Sequence, residues 1–151
     1  MADTKQFCTF YLGDLFFGVE VENVQEVFRY QDMTNVPLAP AAVRGLINLR
    51  GQIITAIDLR CRLQMEDWAE GKLPMNVVVR TEEGVVSLLV DEIADVLEVP
   101  EDDFERPPET INEITRELVR GVYKLKGKLL LILDTKKTVH VGSENSVAGT
   151  I

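Results

Sequence analysis

Histidine, cysteine, clustered basic residues and long apolar runs are all scarce in this chain of 151 residues, and each scarcity removes a class of function. The one histidine, His140, stands at the edge of a Gly-, Ser- and Asn-rich tail, where a surface role is expected rather than a general base. With a single histidine and two distant cysteines, Cys8 and Cys61, no zinc-binding set of ordinary spacing can be assembled. Both cysteines have apolar neighbours and read as small buried hydrophobes, so no disulfide is expected. Gly45 and Gly51 flank five residues but lack the Gly-Lys-Ser/Thr ending of a phosphate loop. Ser87, Ser143 and Ser146 have no nucleophile-elbow context. The acidic run Glu101-Asp102-Asp103 with Glu105 does not have the spacing of an EF-hand loop. The expectation is a protein with no catalytic residues, metal or cofactor, and so not an enzyme.

The longest unbroken apolar run, residues 129–133, is far short of the ~20 residues a membrane helix requires. Residues 1–6 show neither a cationic start nor an apolar stretch, so no secretory signal is read and a cytoplasmic location is expected. The formal charge of −9, from 25 acidic and 16 basic residues, opposes binding to nucleic acid and to anionic membranes. What the chain does have is a hydrophobic content of 46%, enough to bury a core as one compact unit.

That core is organised around one phrase. Val43-Arg44-Gly45-Leu46-Ile47-Asn48-Leu49-Arg50-Gly51-Gln52-Ile53-Ile54-Thr55-Ala56-Ile57-Asp58 reads as two strands around a tight turn at Arg50-Gly51. It returns 76 positions later as Val119-Arg120-Gly121 through Lys126-Gly127 to Asp134. At an offset of 69, residues 18–27 match residues 87–96 in the same way. Residues 7–12, 16–21, 76–80 and 85–97 alternate or run apolar as strands. Residues 24–30 fit a strand by their β-branched and aromatic content, although Val24, Val27 and Phe28 also fit a helical face. Residues 31–42 read as loop with a helical turn near Ala41-Ala42, and residues 98–118 as an acidic connector with a helix over 111–118. Asp58 and Asp134 are expected to cap short helices after each hairpin. The fold class is therefore mainly β: a duplicated small β-barrel of four or five short strands per copy, with short helices. The approximate subdomains are residues 7–65 and 76–139, followed by a flexible tail over 140–151.

Arg44, Arg50, Arg60 and Arg62 gather around the first hairpin of an otherwise acidic chain. Balancing Glu20, Glu22 and Glu26 would account for them, at about 0–1 kcal/mol per exposed pair. Arg50 is singled out for function, because it stands on a hairpin tip between apolar strands and because arginine suits protein interfaces.

Asn48-Leu49-Arg50-Gly51-Gln52-Ile53-Ile54 followed by Ile57-Asp58-Leu59-Arg60 resembles the signature of the CheW family of bacterial chemotaxis coupling proteins. Phe17-Gly18-Val19-Glu20-Val21, Val24-Gln25-Glu26-Val27, Val36-Pro37, Arg44-Gly45-Leu46-Ile47, Leu88-Leu89-Val90-Asp91, Val96-Leu97 and Gly121 agree with it, in order, over residues 7–139. The resemblance implies a single CheW-like domain over 1–151 that acts as a stand-alone adaptor, built as two pseudo-repeated five-stranded β-barrels related to OB and SH3 barrels, with strands partly exchanged between them. Its partners would be the cytoplasmic tip of a methyl-accepting chemoreceptor and the regulatory domain of a CheA-type histidine kinase, with no nucleic acid and no direct membrane insertion. A receptor groove between the subdomains would involve Val24, Glu26, Gly45, Arg50 and Val96. Ser87 departs from the glycine usual at its position, and its Cβ would restrict backbone approach there. The alternative is an OB-like barrel binding nucleic acid or a small anion, which predicts a basic, aromatic-rich face; this chain has one tryptophan.

Overall fold

Among the described residues, apolar alternation resolves into ten strands and three short α-helices. The computed structural model describes residues 3–140 apart from Glu70 and Glu83. The first hairpin is β1 (Thr4–Leu12) and β2 (Leu15–Glu20). A 3-10 turn over Val21–Asn23, where Glu22-Asn23 break the apolar pattern, leads to β3 (Val24–Phe28). The organising phrase forms β4 (Val43–Leu49) and β5 (Gln52–Asp58), followed by α1 (Leu59–Arg62). Then come β6 (Met75–Thr81), β7 (Gly84–Val90) and β8 (Glu92–Pro100). After the acidic connector, α2 (Glu113–Leu118) leads into β9 (Val119–Leu125), β10 (Lys128–Leu133) and α3 (Thr135–Val139). The ambiguous segment at 24–30 is a strand, and it stops at Phe28. Around Ala41-Ala42 there is a tight turn closed by Val43 N–H on Pro40 O at 2.9 Å, and no helix forms. β8 runs to Pro100, further than its apolar pattern implied, because its outer residues pair with β1 through Thr4↔Pro100. The expected tail lies beyond the described residues, except for His140.

Two five-stranded sheets result, with strand orders β8-β1-β2-β10-β9 and β3-β6-β7-β5-β4. Neither is drawn from one half of the sequence, so the sheets cut across the division at 7–65 and 76–139. Each half places one hairpin (β1-β2 or β6-β7) in one sheet and three strands in the other. The repeat offsets map one sheet order onto the other, strand for strand. Even the register repeats: Leu131 pairs with Phe17 in the parallel β10/β2 contact, as Thr55 pairs with Val86 in β5/β7. The exchange happens at the 3-10 turn Val21–Asn23 and at its counterpart Asp91, where polar residues interrupt the strands and let the chain cross.

The consequence is a core shared by both sheets. Phe10, Leu12, Phe17 and Val19 from the first sheet pack with Ile57, Val77, Leu88 and Val90 from the second in one cluster. Phe10 and Phe17 stack at 5.8 Å between centroids. Each barrel also has its own interior. That of the first is aromatic, with Phe7, Phe16 and Tyr123. In the second, Ile47, Ala56, Leu89, Leu49, Ile54 and Val78 are smaller.

Repeat-equivalent glycines let an extra segment close on each outer strand. Thr34 bridges Leu46 beside Gly45, and Glu105 bridges Val122 beside Gly121. A Cβ at Gly45 would stand 2.8 Å from Thr34 O; one at Gly121 would overlap the Phe104 ring and stand 2.6 Å from Glu105 O. Gly121→Ala is therefore expected to destabilise the fold by about 1–3 kcal/mol, the usual cost of overpacking. Urea unfolding checks this, and an unchanged midpoint would contradict the packing described.

Candidate functional site

Arg50 and Gly51 both adopt positive φ, at 52° and 87°, which makes the β4-β5 connection a two-residue turn of the primed type that matches strand twist. A non-glycine residue pays sterically for that conformation, by roughly 1–2 kcal/mol. Asn48 offsets part of the cost: its Oδ1 accepts the Gly51 N–H at 2.9 Å. In the second copy Lys124 replaces Asn48 and offers no acceptor, and at that tip only Gly127, at 83°, has positive φ. The turn chemistry thus distinguishes the two hairpins, and it aims Arg50.

Its guanidinium is aimed at Glu26. Nη1 donates to Oε2 at 2.6 Å and Nη2 to Oε1 at 2.7 Å, a bidentate pair of the strongest geometry available to these groups. β3 and β4 are the two outer strands of the second sheet, so this pair fastens the hairpin tip to the opposite edge. Beneath it, Phe28 packs against Leu49, Ile54 and Val78. A fork at this tip is therefore used by the fold, contrary to what its position on the hairpin suggested. It also stays open to solvent, with the Arg50 side chain 72% exposed against 23% for Glu26. The corresponding residues of the first barrel, Lys126 and Asp95, form no ion pair among the described residues. A cleft of about 330 Å³ opens there instead, lined by Tyr11, Phe16, Ala94, Leu97, Leu125 and Lys128.

The other expected site residues divide. Val24 is half-buried on β3 against the shared core, separated from Glu26 by a bulge. Val96, on the outer strand β8 of the first sheet, is 56% exposed, and its repeat partner Val27 is 42% exposed. Gly45 is buried under Met33 and Thr34, so it contributes spacing and presents nothing to a partner. Ile53, beside the Arg50 tip, is 59% exposed and was not singled out by the sequence. The Cβ of Ser87 is accommodated: its hydroxyl donates to Asn76 Oδ1 at 2.7 Å inside the barrel.

The remaining arginines serve structure. Arg44 pairs with Asp58 at 2.9 Å and Asp67 at 3.3 Å. Asp58 also caps α1 through the Cys61 N–H, as Asp134 caps α3 through the Lys137 N–H. Burial pushes the Asp58 carboxyl above its ordinary value. Arg60 grips Asp91, whose Oδ2 also accepts the Gly13 N–H at 2.7 Å, so the crossing point of β7 and β8 is tied to the β1-β2 turn. Burial raises Asp91, but the bonds from Arg60 and Gly13 outweigh it and hold the carboxyl below its usual range. Arg62 donates to Thr138 O and Lys137 O at the end of α3. The ring of Trp68 lies 5.8 Å from the guanidinium carbon of Arg44 and 5.6 Å from that of Arg60. These contacts are not legible from sequence spacing, because the three residues lie on the hairpin, the helix and the connector. Cys8 and Cys61 are free and half-buried, less enclosed than expected, and burial raises both thiols. Among the described residues no group of His, Cys, Asp and Glu could hold a metal ion, and no helix is long and apolar enough to cross a membrane.

The CheW-like domain family matches residues 6–142. The chain belongs to that family. It is 32% identical over 136 residues to the chemotaxis protein CheW of Treponema pallidum, covering 87% of this chain and 80% of that one. It is 31% identical over 130 residues to CheW of Rhizobium meliloti, covering 86% and 84%. The solved structure of the scaffolding protein TtCheW from Thermoanaerobacter tengcongensis superposes with a TM-score of 0.78 at 28% identity, covering 89% of this chain and 86% of that one. Family and structure together make this a non-enzymatic chemotaxis scaffold with a mainly β fold.

The Arg50 hydrogen bonds hold the Glu26 carboxyl below its ordinary range. A carboxylate depressed by folding stabilises at pH values above its unfolded pKa, and that stabilisation is lost as the pH falls through the folded value. In a carbon-detected NMR titration, Glu26 is expected to titrate below an ordinary glutamate and to return to the ordinary range in Arg50→Ala. An ordinary midpoint in the unmodified protein would contradict the pair.

Proposed function

We propose that this protein couples the cytoplasmic tips of chemoreceptors to the regulatory domain of a CheA-type histidine kinase, working in the cytoplasm as a member of membrane-associated receptor arrays. The observation that carries the reading is the exposed, preorganised fork at Arg50. Two of its five N–H groups are committed to Glu26, which leaves three for a partner. Being already fixed, the fork loses little side-chain entropy on binding. Exposed Val27 on β3 and Ile53 beside the tip supply the apolar contact that a receptor helix would bury. Val24, Glu26, Arg50 and Val96 form the proposed receptor groove, with Gly45 acting only through close approach of the backbone. The kinase takes a separate face, for which the open cleft of the first barrel is the candidate. Coupling would then work by changing the relative position of docked parts, through interfaces at or below the ~800 Å² per partner of a standard complex.

Arg50→His and Val96→Met are expected to leave the fold intact, since both side chains are open to solvent. Both are expected to weaken capture of receptor signalling fragments in a pull-down. Undiminished capture by both would overturn the site assignment. Tight binding of single-stranded oligonucleotide at moderate salt would overturn the functional reading as a whole.

A further inference from the structure

The two barrels share one strand plan but differ at a buried spot that adjoins the proposed receptor edge. In the first barrel, Phe7, Gly18 and Ile132 meet there. A Cβ at Gly18 would stand 3.1 Å from Leu130 Cδ1, 3.3 Å from Phe7 Cβ and 3.4 Å from Ile132 Cδ1. Their repeat equivalents in the second barrel are Asn76, Ser87 and Ala56. Ser87 pairs with Ala56 across the parallel ladder, where the smaller side chain leaves room for the hydroxyl. Asn76 and Ser87 are 0% and 1% exposed. Buried polar groups are costly unless hydrogen-bonded, and an apolar packing evidently serves the same architecture in the first barrel.

What the polar pair adds is a hydrogen bond beyond the end of β3. The β3/β6 ladder ends at Phe28↔Asn76, and Pro74, just before β6, has no N–H to extend it. In the first barrel the corresponding ladder runs on through Gln6↔Glu98, Lys5↔Val99 and Thr4↔Pro100. In the second, the side chain of Asn76 substitutes for the missing rungs: its Nδ2 donates to Arg29 O at 3.1 Å, while its Oδ1 is held by the Ser87 hydroxyl at 2.7 Å. β3 carries Glu26 two residues from that end.

We propose that Asn76 and Ser87 are positioning residues for the receptor groove, tying down the end of β3 so that Glu26 meets Arg50 in a fixed place. This rests on the coupling function proposed above. The test variant is Asn76→Leu with Ser87→Ala, which replaces both partners by apolar groups of similar shape, a change that can be nearly neutral for stability. It is compared with the unmodified protein and with Arg50→His by amide hydrogen exchange over residues 25–30, by denaturant unfolding, and by titration with a receptor signalling fragment and with a kinase regulatory domain. The expected result is near-native stability and kinase-domain affinity, with faster exchange at the end of β3 and receptor affinity reduced about fivefold, the scale of one lost hydrogen bond. If Arg50→His weakens receptor binding while the double variant leaves exchange and affinity unchanged, the positioning role is overturned and the site reading stands. If both leave receptor binding unchanged, the site reading fails and takes the positioning role with it. Should the double variant not fold, Ser87→Ala alone frees only the Asn76 carbonyl oxygen. Faster exchange over 25–30 then supports the proposal and unchanged exchange overturns it.

Discussion

The reciprocal exchange of strands is the constraint on which the rest of this structure depends. Because each half of the chain surrenders a hairpin to one sheet and keeps three strands for the other, neither barrel can be completed without both halves. The parallel contacts β2/β10 and β5/β7 are the seams of that exchange. The cluster from Phe10 and Phe17 to Val77 and Leu88 is its apolar content. Such a molecule packs as one body with two similar ends, which suits the proposed coupling of two partners.

The proposed receptor site lies where the two ends differ. The shared plan demands glycines at 45 and 121 and aspartates at 58 and 134, and all four are occupied with building the fold. The second barrel then adds Asn48, Arg50 and Glu26, which close its edges with an exposed ion pair. The first barrel, with Lys124, Lys126 and Asp95 at the same places, keeps an open cleft. The pair fastens two edges of the sheet, and under the proposed function its bidentate geometry and its strained turn also serve recognition. Fixing the fork before a partner arrives moves an entropic cost from binding to folding.

Much of this was legible in the sequence, and the limits have physical causes. The repeat, the hairpin tips and the aspartate caps showed because they depend on local spacing and turn chemistry. The exchange was implied only by the family resemblance, since the offsets of 69 and 76 are the same whether the strands stay within their half or cross. Arg50 was singled out for its place on the hairpin tip, but its bond to Glu26 joins opposite edges of a sheet, a proximity only the closed barrel creates. Ser87 was noticed as a departure and its consequence misjudged: the space it needs comes from Ala56, and its partner is Asn76. A single position carries no information about such a compensated set.

The most direct test of the central claim is whether one molecule of this chain holds both partners at once. Sedimentation velocity on a mixture of the chain, a receptor signalling fragment and a kinase regulatory domain separates the alternatives. Receptor binding at the Arg50 edge and kinase binding on a separate face predict a ternary species heavier than either binary complex. Competition, in which the kinase domain displaces the receptor fragment and only binary complexes sediment, would contradict the account.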